Sequence, residues 1–263
     1  MKNRIKTNKT NKTNKANKIN KIQIEVGLDE VGRGSLFGPL LVASFLIIKT
    51  NNFNPYNTLK LKDSKKLIEN QRITIFNEII NILRKYRNIS KLNFYFISNE
   101  VIDKINILNA NLLGFEKLII INLENILKNK EIIDNLDKIE YINFYLDGDK
   151  KPYNIESKIQ EFLKTNFNYL KIDELLKKIN ILNYVKGDSN IRVIQLAAIS
   201  AKVTRDKYIQ FLAQKFPQYN LYYNLYNNKG YYEEIHIKGI RYYGITKYHR
   251  KSFLKKYFQK TLF

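Results

Sequence analysis

No cysteine occurs in this chain, and its imidazoles are limited to His236 and His249. The first absence excludes disulfides, zinc-thiolate centres and thiol catalysis together. The second excludes a metal site built from several histidines. Apolar runs are short as well. The longest, Leu40 to Ile48, falls far below the ~20 residues of a membrane span and reads as a buried strand. Acidic residues are scarce, 24 against 46 Lys and Arg, and the net charge is +22. Such an excess favours a polyanionic partner, either nucleic acid or an acidic membrane surface, although heavy Lys and Asn usage would raise the charge without any partner.

What is present is enough for a folded domain. The 263 residues are 44% hydrophobic and 13% aromatic, sufficient to bury a core. Residues 1–20 stand apart as a Lys, Asn and Thr tract with no acid and no apolar h-region. They are expected to be a disordered basic leader, because so little apolar surface cannot offset chain entropy. An arm that lingers on nucleic acid and an organelle transit peptide are the alternatives. Residues 21–263 are expected to form the folded unit.

From Lys21 onward the periodicity changes. Ile22, Ile24, Val26 and Leu28 alternate with polar or small residues, the pattern of a half-buried strand. A glycine-rich loop follows, and Leu40–Ile48 then pairs back antiparallel. Asp63 or Ser64 is suited to cap a helix running to about Lys85. Further strands are expected over Leu92–Ile97, over a segment ending at Asp147, and over Ile181–Val185. Helices are expected over Asn99–Lys128, in 153–180, and over Val193–Phe216, where Pro217 stops the chain. On the last helix Ile194, Ala197, Ala198, Ala201, Tyr208, Phe211 and Leu212 share a face. The tail resolves into one short helix. This order implies an α/β fold, a mixed sheet flanked by helices.

Three segments place acids where strands end or helices begin: Asp29-Glu30, Asp147-Gly148-Asp149 and Gly187-Asp188. Singly, each reads as an N-cap or a turn. Together they flank apolar strands of one sheet, at the strand ends where open α/β sheets bind ligands. Clustered carboxylates repel unless a cation sits among them, and Mg²⁺ or Mn²⁺ suits an all-oxygen donor set. Two such ions about 4 Å apart would support phosphodiester hydrolysis. Asp29 and Glu30 would point to opposite faces of a straight strand, so for both to serve one site the backbone is expected to turn there, as the Gly32-Arg33-Gly34 that follows permits.

Taken in order, the motifs resemble the ribonuclease HII family: Gly27-Leu28-Asp29-Glu30-Val31-Gly32-Arg33-Gly34, Asp63-Ser64-Lys65-Lys66-Leu67 with Arg72, Asn106-Ile107-Leu108, Asp147-Gly148, Lys186-Gly187-Asp188, Ala201-Lys202-Val203-Thr204-Arg205-Asp206, Lys229-Gly230-Tyr231 and His249-Arg250-Lys251-Ser252-Phe253. The resemblance runs from about Ile24 to Phe253. It implies a ribonuclease H-like mixed sheet with a C-terminal helical extension, and an endonuclease that cuts the RNA strand of RNA–DNA hybrids. It also implies cutting 5′ of ribonucleotides embedded in duplex DNA, leaving 3′-hydroxyl and 5′-phosphate ends. Asp29, Glu30, Asp147 and Asp188 would bind two ions, Mg²⁺ or Mn²⁺. Gly32, Arg33 and Gly34 would contact the ribose, and Tyr231 would pack on the neighbouring deoxyribose. Lys65, Lys202 and Arg205 would hold phosphates, with His236 and His249 as structural hydrogen-bonders. A cytoplasmic monomer without membrane attachment is expected.

Some positions depart from that pattern. Ser35 stands where proline is usual, and Asp149 where asparagine is common. Gln195, Leu196 and Ala198 replace small residues and a serine near Asp188, and Glu233 stands where threonine is common. Residues 153–180 look like an insertion. A non-catalytic coat protein and a resolvase-type nuclease on the same fold are the competing readings. The first predicts salt-sensitive binding without cleavage, and the second predicts cutting of all-DNA substrates.

Overall fold

A computed structural model describes residues 21–50, 53–59, 61 and 67–258. The expected leader, Lys65, and the capping candidates Asp63 and Ser64 lie outside the described residues. In chain order the elements are β1 (Ile22–Val31), β2 (Leu40–Thr50), α1 (Glu69–Lys85), β3 (Ser90–Ile97), α2 (Asn99–Ile105), α3 (Ile107–Leu127), α4 (Lys130–Ile133), β4 (Ile139–Asp147), α5 (Ile155–Asn166), α6 (Ile172–Leu176), β5 (Ile179–Tyr184), α7 (Gly187–Asn190), α8 (Arg192–Lys215), α9 (Pro217–Tyr223), α10 (Leu225–Asn228), α11 (Glu234–Tyr243) and α12 (Lys251–Phe258).

The five strands form one mixed sheet in the order β3-β2-β1-β4-β5. β1 pairs antiparallel with β2 and parallel with β4, so the reading of the opening hairpin holds. Side-chain alternation then divides the core in two. Ile22, Ile24, Val26 and Leu28 face α3 and α5, whereas Ala43, Phe45 and Ile47 face α1 and the first half of α8. Both faces of the central strands are therefore covered, which is why β2 reads as an unbroken apolar run. The second half of α8, with Ile209, Leu212 and Ala213, packs on Leu36, Phe37 and the C-terminal helices. One helix thus joins the sheet to the extension.

Several expectations need correction. The helix expected over Asn99–Lys128 is two helices, because Asn106 adopts φ 66 between them and its side chain caps α3 by accepting from the Asn109 N–H at 3.0 Å. α1 starts at Glu69, with Ile68 rather than Asp63 or Ser64 at the capping position. Helix does not persist through 153–180: α6 ends at Leu176 and β5 begins at Ile179, an edge strand on the sheet. Phe211 is 52% exposed and leaves the apolar face of α8. Pro217 occupies the first turn of α9 rather than only ending α8. Among the described residues the tail holds four short helices where one was expected. α12 is tied to the body by Asp103 of α2, whose carboxylate accepts from the Lys251 and Ser252 N–H groups, each at 2.9 Å. A contact across nearly 150 residues leaves no local signal.

Close packing of α8 on β1 sets the position of the site. A Cβ on Gly27 would lie 2.1 Å from the backbone carbon of Val193, so only glycine lets the start of α8 touch the strand. Gly27→Ala is expected to cost about 1–3 kcal/mol or more by overpacking, read by urea denaturation. Gly34→Ala, with nothing within 4 Å of the added carbon, should be nearly neutral for stability. Equal effects at the two positions would contradict this packing.

Candidate active site

The parallel ladder between β1 and β4 ends at the pair Leu28–Leu146. One residue further on, β4 ends at Asp147, while β1 continues through Asp29 and Glu30 to Val31, paired only with β2. The expected turn between the two acids is therefore absent. The strand runs straight, and both its faces open into the crevice beyond the end of β4. Asp29 lies on the face covered by α8, and Glu30 on the face of α3, where the Asn111 amide donates to its Oε2 at 3.3 Å. Two adjacent residues can share one cleft because their neighbour strand stops short.

Asp147 and Asp188 reach the same cleft from β4 and α7. Asp147 Oδ1 accepts from the backbone N–H of Gly187 at 2.7 Å and of Asp188 at 3.4 Å, which fastens α7 to the strand end. Gln195, one of the departures, adds a bond from Nε2 to the Ser189 carbonyl at 2.9 Å. All four acids line a cleft of about 440 Å³ together with Gly32, Arg33, Gly34, Arg72, Ala198, Lys202 and Tyr231. Asp149 does not belong to it: the side chain is exposed and faces Lys150 at 3.9 Å.

The electrostatics are those of crowded anions. Burial, followed by the charges of Glu30, Asp147 and Asp188, pushes Asp29 well above the usual carboxylate range. Burial likewise raises Glu30, against the opposing pull of Arg33, whose Nη1 is 3.3 Å away. Among the described residues no three Asp, Glu or His side chains stand as a ready-made metal group. The donor set nevertheless fits a divalent cation, since every candidate ligand is a hard oxygen and the carboxylates hold one another in an unfavourable ionised state that a cation would relieve.

The residues expected around the acids divide clearly. Gly32 is at φ 92 and a Cβ there would strike the Arg205 guanidinium at 2.2 Å, so its missing side chain serves the arginine beneath it. Gly34 instead is exposed, with open space where a side chain would stand. Arg33 is half exposed and Lys202 partly so, Lys202 pairing with Asp206 at 2.9 Å.

Arg205 is the correction. Expected to hold phosphate, it is fully buried. Its guanidinium donates to the carbonyls of Pro39, Lys229 and Phe37, each at 3.0 Å, and to Ser35 Oγ at 2.8 Å. Arg250, also fully buried, donates to the carbonyls of Gly38 at 3.1 Å, Gly32 at 2.7 Å and Arg33 at 3.0 Å. The hydroxyl of Ser35, placed within 2.9 Å of the Phe37 and Gly230 carbonyls, accepts from Arg205 in a way that a proline could not. Sequence reasoning gave Asn111 and Asp103 no role. For Asn111 one signal existed, an amide in the otherwise apolar run that faces the sheet.

A family model for ribonuclease HII matches residues 26–261. The chain belongs to the ribonuclease HII family. Ribonuclease HII of Mycoplasma capricolum subsp. capricolum is 35% identical over 227 residues, 86% of this chain and 84% of that protein. That of Pelagibacter ubique is 34% identical, covering 88% and 96%. Among solved structures, ribonuclease H2 from Pyrococcus horikoshii OT3 superposes with a TM-score of 0.53 at 20% identity, over 90% of this chain and 98% of that one. Bst-RNase HIII in complex with Mn²⁺ gives 0.55 at 15% identity, covering 88% and 67%. These two likenesses speak for the shared fold. As a ribonuclease HII, the chain is a hydrolytic ribonuclease H acting on RNA–DNA hybrids. Among the described residues no helix is long and apolar enough to cross a membrane.

His236 and His249 are buried against each other, Nε2 to Nε2 at 3.2 Å. Burial lowers both below the ordinary imidazole range, His249 to about 3 with the proximity of His236 adding to the effect. The folded protein thus excludes protons that the unfolded chain binds below about pH 6.5. Their contribution to stability is complete above that value and is lost as pH falls toward the folded pKa. Relative to a His236→Phe/His249→Phe double variant, the wild type should lose stability between about pH 7.5 and about pH 5 in urea titrations; a constant difference would contradict a neutral pair. Arg205→Met should cost at least about 3 kcal/mol by orphaning buried acceptors, against about 1 kcal/mol or less for Lys202→Met, by the same measurement.

Proposed function

We propose that this ribonuclease HII cuts on the 5′ side of ribonucleotides, both in RNA–DNA hybrids and singly embedded in duplex DNA, leaving 3′-hydroxyl and 5′-phosphate ends. The convergence of Asp29, Glu30, Asp147 and Asp188 on one cleft carries the reading. These four residues would hold Mg²⁺ or Mn²⁺, and two such ions supply the positive charge that activates the attacking water and stabilises the leaving oxygen. The Mn²⁺ held by Bst-RNase HIII on a similar fold supports that choice of metal.

The chain's own groups account for the rest. The backbone at Gly34 can approach a ribose closely, because no side chain intervenes, and the 2′-hydroxyl is what separates RNA from DNA at that point. Arg33 and Lys202, both on the wall of the cleft, can balance phosphate charge, as can Lys65. Tyr231 lines the same cleft with its ring beside Lys202 and would pack on the sugar beyond the ribonucleotide. Neither histidine is needed as a base. The excess of 22 positive charges draws the duplex in and makes binding salt-dependent.

A labelled DNA duplex with one ribonucleotide, incubated with Mg²⁺ or Mn²⁺, should be cut 5′ of that ribonucleotide, and Asp29→Asn should lower the rate at least about 10³-fold. The same variant should unfold at higher temperature than wild type at neutral pH. Sign follows from linkage: a carboxyl with a raised folded pKa favours folding below its unfolded pKa and opposes it, relative to that state, once pH rises through the folded one. Cutting of all-DNA duplexes at an equal rate, or an Asp29→Asn enzyme of full activity, would overturn the assignment.

A further inference from the structure

Tyr231 leaves one of the most strained stretches of the chain. Lys229 and Gly230 precede it at φ 52 and φ 82, the left-handed region that strains a non-glycine residue. Such a turn holds one geometry only if its backbone groups are pinned. They are. Arg205 donates to the Lys229 carbonyl at 3.0 Å, Asn228 Oδ1 accepts from the Gly230 N–H at 2.8 Å, and the Tyr231 N–H donates to the Asn228 carbonyl at 2.9 Å. Above the turn, Lys202 Nζ and the Arg205 guanidinium each lie 5.3 Å from the centre of the Tyr231 ring, within cation–π range.

The remaining pin is the Tyr231 carbonyl, and it is held by the histidine pair. The bonding has a single direction. A backbone N–H can only donate, and that of Thr246 points at His249 Nδ1 at 2.9 Å, so Nδ1 carries a lone pair. In a neutral ring the proton is then on Nε2, facing His236 Nε2 at 3.2 Å. His236 Nε2 must accept, which leaves its own proton on Nδ1, 3.0 Å from the carbonyl oxygen of Tyr231. The relay runs from Thr246 through both imidazoles to Tyr231, and it works only with both rings uncharged.

We propose that His236, with His249 behind it, is a positioning residue for Tyr231, fixing the ring at the height where it meets the deoxyribose next to an embedded ribonucleotide. This rests on the reading of Tyr231 given above. Neither imidazole touches substrate; their effect is transmitted through one peptide carbonyl. On a uniform RNA–DNA hybrid the neighbouring sugar is a ribose, where packing of the ring matters less. The pair therefore acts on substrate preference, whereas a purely structural pair would affect all substrates alike.

The experiment compares kcat and KM on two substrates, a DNA duplex with one ribonucleotide and a uniform hybrid, for wild type, His236→Phe, Tyr231→Ala and the double variant. His236→Phe keeps a ring in the space but removes the bond. It should lower kcat/KM about tenfold on the single-ribonucleotide duplex and less than about threefold on the hybrid. In the Tyr231→Ala background the same change should add nothing to the shift in preference, because coupled residues are non-additive. Should His236→Phe fail to fold, His236→Phe/His249→Phe removes both polar partners at once and is read the same way. Equal losses on the two substrates, or full additivity with Tyr231→Ala, overturn the proposal. Wild-type enzyme that leaves the single-ribonucleotide duplex intact overturns instead the reading of Tyr231, a distinguishable failure.

Discussion

Two buried guanidiniums hold the loop that carries the glycines of the site. Between β1 and β2 the chain turns from Gly32 to Pro39, and Arg205 and Arg250 bond carbonyl oxygens along it from below. Both arginines are fully buried, which lowers their pKa, that of Arg250 to about 9. Each remains charged at neutral pH, so its hydrogen bonds are stronger than neutral ones. Removing them would leave a row of buried carbonyls without donors, a cost borne by few loops. The same Arg205 also supports the Lys229 carbonyl and the face of the Tyr231 ring. Loop, tyrosine and the end of β1 thus share one anchor and keep their mutual distance.

On that frame the acids sit where a sheet has no other use for its ends. The parallel ladder of β1 and β4 stops, β1 overruns it, and carboxylates from three segments enter the gap. The arrangement is costly. Burial and mutual repulsion raise Asp29 and Glu30, and the fold tolerates this because α8, clamped to β1 through Gly27, and α7, clamped to β4 through Asp147, cannot drift apart. Stability is held down where a cation is needed, the usual tension between a site and its scaffold.

The C-terminal helices add a second, more polar frame. Asp103 caps α12, Arg250 leads back from it to the glycine loop, and the imidazole pair connects Thr246 to Tyr231. Tyr231 from this frame and the carboxylates from the sheet meet in one cleft bordered by α8. Ser35 belongs to this frame: its hydroxyl satisfies Arg205 and the loop at once, giving a physical role to a residue that departs from the family pattern.

Much of this was legible in one dimension. Alternation marked β1 and β4 because each has a regular inward face, and the ordered motifs pointed to the four acids and to Tyr231. Other features had no local signature. Whether Asp29 and Glu30 share a cleft depended on where a strand far along the chain ends. Arg205 and Lys202 are three residues apart on one helix, yet one is buried under carbonyls and the other borders the cleft, because α8 passes from the sheet to the extension between them. The sequence by itself determined the strands, the acids and the charge, since hydrophobic period and residue chemistry act locally. Only the tertiary structure decided which cations are tied up inside, which glycines face open space and which way the imidazoles point, because those follow from partners distant in the chain.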